Sequence, residues 1–476
     1  MSDDALCYIS ATEALARFKA RSLSPVELMQ TVIARAEAVE PTINAFPMTN
    51  YERALEQAKA AEARYMKTDG RLRALEGLPC AIKDETAIKG ERTTYGSLIY
   101  KDHRDNETAP VVERLLRAGA IVHARSAAPE FSCAAICHSK LWGVTRNPWN
   151  PDYTPGGSSG GAGAALAAGT TTLANGSDIG GSIRIPASAC GVVGFKPPYG
   201  RNPEDPPFSF DFYCHEGPMA RSVADCALMQ NVMVGPHPKD IVSLRPKLRI
   251  PAELGDIKGW RIAYSPDLGY YEIDPEVRRN TEAALDVFRD LGATVEPVDL
   301  GWTLESLSAA MNHLGHLFGG YIASHLRKNR YELTDYARAF AEFGARTTAE
   351  DFLAAMEHAG KMYETLGPIL EKHNVLLCPT LAIPAAKADH DPTDPDFRIN
   401  GVKVDGMLQW CLTYPFNMLS RCPVMSVPSG HAGNGVPTGL QIVGRTYDDV
   451  SVFRAAAAFE SAGPWYDKPE KRPKLA

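Results

Sequence analysis

The chain has 476 residues, 45% of them apolar and 22% charged, with 57 acidic against 50 basic side chains and a net charge of −7. That is ample material for a large core, and the acidic balance excludes the basic face that nucleic-acid phosphates require. No apolar run approaches the ~18 residues of a membrane span, and the acidic start Met1-Ser2-Asp3-Asp4 is the reverse of a secretory leader, so a soluble cytoplasmic protein is expected. The 10 cysteines are scattered through apolar contexts and read as free buried thiols, not as a disulfide framework.

Apolar positions at helical spacing over 8–22 predict a first helix. Ser24-Pro25-Val26-Glu27 supplies an N-cap, a proline at the first helical position and a glutamate behind it. The helix so opened is expected to run to about Val39 and to end at Pro41. A short strand and an Ala- and Glu-rich helix over 51–66 follow. Leu78 to Asp84 is an apolar strand ending on Lys83, a residue type rarely buried without a partner or a task. A helix over 109–119 and a strand over 121–124 begin an α/β alternation. The stretch from Phe131 to Pro155 is long for an irregular loop, and such loops usually serve function. Within it, Cys133, Cys137 and His138 lack the second ligand pair of a metal site, so no metal is expected.

Gly156 to Gly161 and Asp178 to Arg184 each set a serine, Ser158 and Ser182, in a glycine cluster that lets the backbone approach a ligand closely. Between them Ala162 to Gly169 reads as a thin helix whose N-terminal amides point back toward Ser158. A strand closed by prolines follows at 190–197, then a proline-rich loop to Phe212. Gly217 to Arg221 leads into a helix to about Val232, and 236–257 is a polar surface crossing. A strand at 260–264, a helix over 275–291 and a strand at 293–298 form a βαβ unit. Residues 304–373 are helical by pattern, and 375–379 is a buried strand. A polar loop over 387–404, a helix over 405–420 and strands at 424–428 and 439–444 complete the chain. Strands come from both ends with no repeat and no linker, so the fold class is α/β, a single α/β/α domain with a central mixed β-sheet flanked by helices. Within it, 1–70 supplies helices packing on the core, 71–235 the functional core, and 303–415 a variable helical region.

Two serines in glycine turns with a lysine upstream point to acyl transfer. Gly157-Ser158-Ser159-Gly160-Gly161 satisfies the nucleophile-elbow pattern, but that elbow must follow a buried strand, which Asn150 to Pro155 cannot form. No lysine follows the glycines as a phosphate loop demands, and Leu166 stands where a dinucleotide fingerprint needs glycine.

Lys83, the 156–161 run and Gly176-Ser177-Asp178-Ile179-Gly180-Gly181-Ser182-Ile183-Arg184-Ile185-Pro186-Ala187 together resemble the amidase signature hydrolases. The likeness extends to Gly217 to Arg221 and Val436 to Gly444, covers most of the chain, and is weakest over the helical region. It implies a Ser–Ser–Lys apparatus: Ser182 as nucleophile, Ser158 as bridging serine after a cis bond from Gly157, and Lys83 as base. The amides of Ile179, Gly180, Gly181 and Ser182 would form the oxyanion hole, with Ser159, Asp178 and Arg184 bracing the loop.

Serine is a poor nucleophile until a base takes its proton, and burial with no carboxylate nearer than an outward-facing Asp84 would favour the neutral lysine. The implied activity is cleavage of a carbon–nitrogen amide bond through an acyl-enzyme, with no cofactor, on a medium-sized, partly apolar or aromatic amide. A carbamate or ester hydrolase with the same apparatus, or the glutaminase component of a tRNA-dependent amidotransferase, are the alternatives. Phe131, Ser132 and Cys133 are expected in the acyl pocket, joined by a few of the aromatics and histidines of 303–415. His313, His316, Phe318, Tyr321, Tyr414 and Phe416 are candidates there, most of them expected to pack helices. A homodimer is a family-level expectation.

Overall fold

The computed structural model describes residues 3–67 and 71–475; Met1 and Ser2 of the acidic start lie outside them. Among the described residues eleven strands form one mixed sheet, with strands from Met48–Thr49 to Pro437–Val443. Its middle runs, in spatial order, Ile121–Ser126, Pro79–Lys83, Leu173–Ser177, Glu216–Ala220, Val193–Lys196, Val424–His431 and Pro437–Val443. The first three are parallel, so Ser126, Lys83 and Ser177 all end their strands at the same edge. Ligands of such sheets sit beyond the carboxyl ends of the strands. Beyond Pro437–Val443, Val375–Pro379 pairs in parallel with Arg261–Tyr264 and that strand with Thr294–Pro297, enclosing the helix Pro275–Asp290 as expected.

One core lies beneath Ala11–Lys19, Val223–Met233, Pro275–Asp290 and Asp449–Ala462. Another lies beneath the helices of 305–372 and the segment 404–422. The helix Gly160–Ala168 is buried on all sides, and its alanines pack with Ala81, Ala124 and Ala174 of the three parallel strands. Only a helix so thin can lie this close to the sheet. No described helix is long and apolar enough to cross a membrane.

The structure departs from expectation in three places. The helix opened by Ser24, whose Oγ accepts from Val26 N, runs through Pro41 to Ile43. Proline costs one hydrogen bond there, but Asn44 in the left-handed conformation caps the end and Glu40 accepts from the amides of Ala45 and Phe46. Leu173–Ser177 and Glu216–Ala220, which the sequence reading leaves without a strand, are central strands; burial between neighbours overrides the turn propensity of Asn175-Gly176 and Gly217-Pro218. The helix expected over 405–420 shrinks to Pro415–Met418. Ala382 N donates to Trp410 O and Leu412 N to Thr380 O, pulling the segment into an extended path, and Pro415 can only start a helix. That path delivers Thr413 and Asn417 to the serine loops.

Candidate active site

Lys83 is fully buried at its strand end. Its Nζ lies 2.6 Å from Ser158 Oγ, 2.8 Å from Ser177 Oγ and 2.9 Å from Glu85 Oε1. An ammonium would donate to all three. A neutral amine fits the same geometry with two N–H donors and a lone pair that receives the Ser158 proton.

The expectation that no carboxylate but Asp84 stands near the lysine is overturned. Asp84 does face elsewhere, accepting from Thr94 N at 2.8 Å and Trp142 Nε1 at 3.3 Å. Two residues beyond Lys83 the chain returns to the same side, and Glu85 pairs with the amine. Ser177 Oγ also donates to Glu85. Burial pushes the Glu85 carboxyl up, but the Lys83 charge and the hydrogen bonds from Ser177 and Lys83 outweigh it and hold it below the usual range. Glu85 and Ser177 are therefore polar neighbours that sequence reasoning misses. The i, i+2 spacing from Lys83 and the position of Ser177 inside the motif are the available signals.

The Gly157–Ser158 peptide bond is cis, and Ser158 is buried. A Cβ at Gly157 would meet Ile136 O at 2.0 Å, so only glycine passes there. Ser159 N donates to Ser182 O at 3.1 Å, tying the two serine loops together, and Ser159 Oγ donates to Ser177 O at 3.4 Å.

Behind the second loop Asp178 and Arg184 form a fully buried pair at 2.9 Å. Arg184 also donates to Thr413 O, Gln441 Oε1 and Asn417 Oδ1, and Asn417 Nδ2 returns to Asp178. Burial alone would raise the Asp178 carboxyl; Arg184, Asn417 and His215 more than offset it and hold it at about 2. Thr413 Oγ1 donates to Gly180 O at 2.7 Å, and a Cβ on Gly181, at φ +129°, would meet that same Oγ1 at 2.0 Å. Among the described residues the amides of Ile179, Gly180, Gly181 and Ser182 donate to no protein acceptor.

Two cavities flank these groups. One of about 200 Å³ is lined by Ser158, Ser177 and Glu85, by the aromatic rings of Phe131, Phe318 and Tyr321, and by Glu204 and Glu216. The other, about 40 Å³, is mostly apolar and is lined by Ile179, Gly180 and Ser182 together with Cys133 and Leu408. Ser132, Ile179 and Phe318 border both. Phe131 and Ser132 have φ of 52° and 58°, a left-handed pair of the kind that clusters at ligand sites. Of the candidates from the helical region, Phe318 and Tyr321 reach the cavities. His313 is buried against Asp211 at 2.7 Å and stacks on Tyr213, while Tyr414 and Phe416 are core residues. Cys133, Cys137 and His138 each bond to a backbone carbonyl.

A family model for amidases matches residues 27–453, and the chain belongs to that family. It is an amide-bond hydrolase with the amidase signature fold. It is 36% identical to an acylamidase of Rhodococcus erythropolis, with 98% of each chain covered. It is 33% identical to a component of the glutamyl-tRNA(Gln) amidotransferase of Geobacter metallireducens, over 94% of this chain and 96% of that one. Among solved structures, a bacterial aryl acylamidase of the amidase signature family matches with a TM-score of 0.89 at 30% identity, over 96% of both chains. A 6-aminohexanoate cyclic dimer hydrolase in complex with its substrate matches at 0.82 and 26%, over 98% of this chain and 99% of that one.

Proposed function

We propose that the chain cleaves its amide through an acyl-enzyme on Ser182, activated by Lys83 through Ser158. The observation that carries this is the 2.6 Å contact between Lys83 Nζ and Ser158 Oγ, in a loop tied by the Ser159–Ser182 backbone bond to the second serine. Ser182 Oγ attacks the carbonyl carbon as its proton passes to Ser158 Oγ and the Ser158 proton passes to Nζ, leaving an ammonium. The carbonyl electrons move to oxygen, where the amides of 179–182 receive the charge; one such donor is worth ~3 kcal/mol. The ammonium then returns its proton through Ser158 to the leaving nitrogen as the C–N bond breaks. Water, deprotonated by the same relay, releases the carboxylate and restores Ser182.

Ser159, Asp178 and Arg184 hold the loop, and no metal or cofactor takes part. The aromatic lining of the larger cavity favours a medium-sized amide with an apolar or aryl portion, and the likeness to acylamidases supports the same class. The similarity to components of tRNA-dependent amidotransferases keeps a glutaminase as the second reading. Initial rates on 4-nitroacetanilide, phenylacetamide, a phenyl carbamate, a phenyl ester and glutamine separate these. Anilide or aryl amide turnover with none on glutamine is expected. Glutamine as the sole substrate would reverse the assignment.

A further inference from the structure

Among the described residues Lys83 Nζ has three polar neighbours, and the apparatus proposed above uses only Ser158. The other two are joined to each other: Ser177 accepts from Nζ and donates to Glu85, and Glu85 accepts from both. The single hydroxyl proton of Ser177 is thus committed to the carboxylate, and its oxygen can only accept from the amine. Two acceptors then fix both N–H bonds of a neutral lysine, which leaves its lone pair facing Ser158. Glu85 also places a negative charge 2.9 Å from the nitrogen that becomes cationic in each proton transfer.

Taking Lys83 as the base, we propose that Glu85 is its positioning residue: it aims the amine at Ser158 and stabilises the ammonium formed when the serines lose their proton. A carboxylate this close lowers the barrier to proton transfer, because the ammonium of the transition state is stabilised. Other ionisable groups face this pair. Glu216, on the adjoining strand Glu216–Ala220, is pushed up to about 8 by burial first and then by the Glu85 charge. Glu204, across the cavity, is raised by burial and then by Glu216. Cys137 and Tyr95 lie within reach of Lys83 and Glu85 respectively, and burial pushes Cys137 up to about 11.

The test is the rate of phosphonylation by a fluorophosphonate as a function of pH, which needs no knowledge of the substrate and no proton for the leaving group. Glu85→Gln keeps an acceptor oxygen and removes the charge. The shape of its pH profile should depart from the parent's, and its alkaline plateau should fall about tenfold. Glu85→Asp should restore the limb toward that of the parent. Glu216→Gln, the control for the neighbouring titration, should keep the parent's limb to within a few tenths of a pH unit. A Glu85→Gln profile of parental shape and midpoint would overturn the inference, as would a limb that vanishes in Glu216→Gln. The base assignment would then stand or fall separately, on whether Lys83→Ala abolishes the limb.

Discussion

The serine loops and the helices of 305–372 border the same cavities and are built in opposite ways. Behind the loops the buried side chains form a closed network: Arg184 alone reaches Asp178, Thr413, Asn417 and Gln441, none of them exposed. The helices touch the site through apolar side chains, Phe318 and Tyr321 in the larger cavity and Met311, Leu314, Phe318 and Phe340 in the smaller, and much of their outer surface is exposed, as at Leu353 and Met356. Chemistry needs atoms fixed to a fraction of an ångström, which a closed hydrogen-bond network supplies. Substrate choice needs a wall of a certain shape, which a few apolar side chains supply. Substitutions in the first region should therefore change rate, and those in the second should change preference.

The sharpest cut on the loop side is Ser182→Ala. It should fold and lose at least roughly 10⁴-fold in kcat. A variant that kept a tenth of the parent's turnover would break the contrast. Lys83→Ala comes next: kcat should fall far more than KM rises, and the alkaline-rising limb of kcat/KM should flatten. Ester turnover should suffer less than amide turnover, because an amine leaving group also needs its proton back.

Asp178→Asn tests the network itself. Removing one partner of a buried pair leaves Arg184 uncompensated, at a cost of about 3 kcal/mol read as a lower midpoint in urea. The sign follows from the lowered carboxyl. Its contribution is present above the ~3.9 of an unfolded aspartate and is lost as pH falls through about 2. Acid unfolding of the variant should lack that component.

On the wall side, Phe318→Ala should leave kcat on a small amide nearly unchanged. It should weaken kcat/KM for an aryl amide by the 1–3 kcal/mol typical of an apolar pocket contact. Equal losses on both substrates would show that Phe318 supports the machinery. The smallest expected effect is that of dialysis against phenanthroline, which should leave activity unaltered.

The same contrast explains what can be read from the sequence. The loop side is written as a contiguous pattern, because glycines that admit no side chain and serines that follow them are local requirements; Gly157 and Gly181 are both blocked by neighbouring atoms. The strand Pro79–Lys83 is equally plain from its apolar run. Leu173–Ser177 is hidden by Asn175 and Gly176, although Asn175 is placed to receive Lys83 N and to donate to Glu216. Thr413 and Asn417 meet the site from afar and leave no local trace, carried there by a segment whose pattern mimics a helix longer than the Pro415–Met418 turn it forms. Gln441 lies in the recognisable stretch from Val436 to Gly444, but nothing local assigns it to Arg184. Glu85 is hidden differently: it lies just past the apolar run, and Asp84 beside it is the more conspicuous carboxylate.

The central claim, that Ser182 is the nucleophile and Ser158 its relay, is tested most directly by labelling the protein with a fluorophosphonate and mapping the adduct by peptide mass spectrometry. The account predicts one adduct, on Ser182, lost in Ser182→Ala and formed at a measurable rate in Ser159→Ala. An adduct on Ser158 or Ser159, or one that persists in Ser182→Ala, would contradict it.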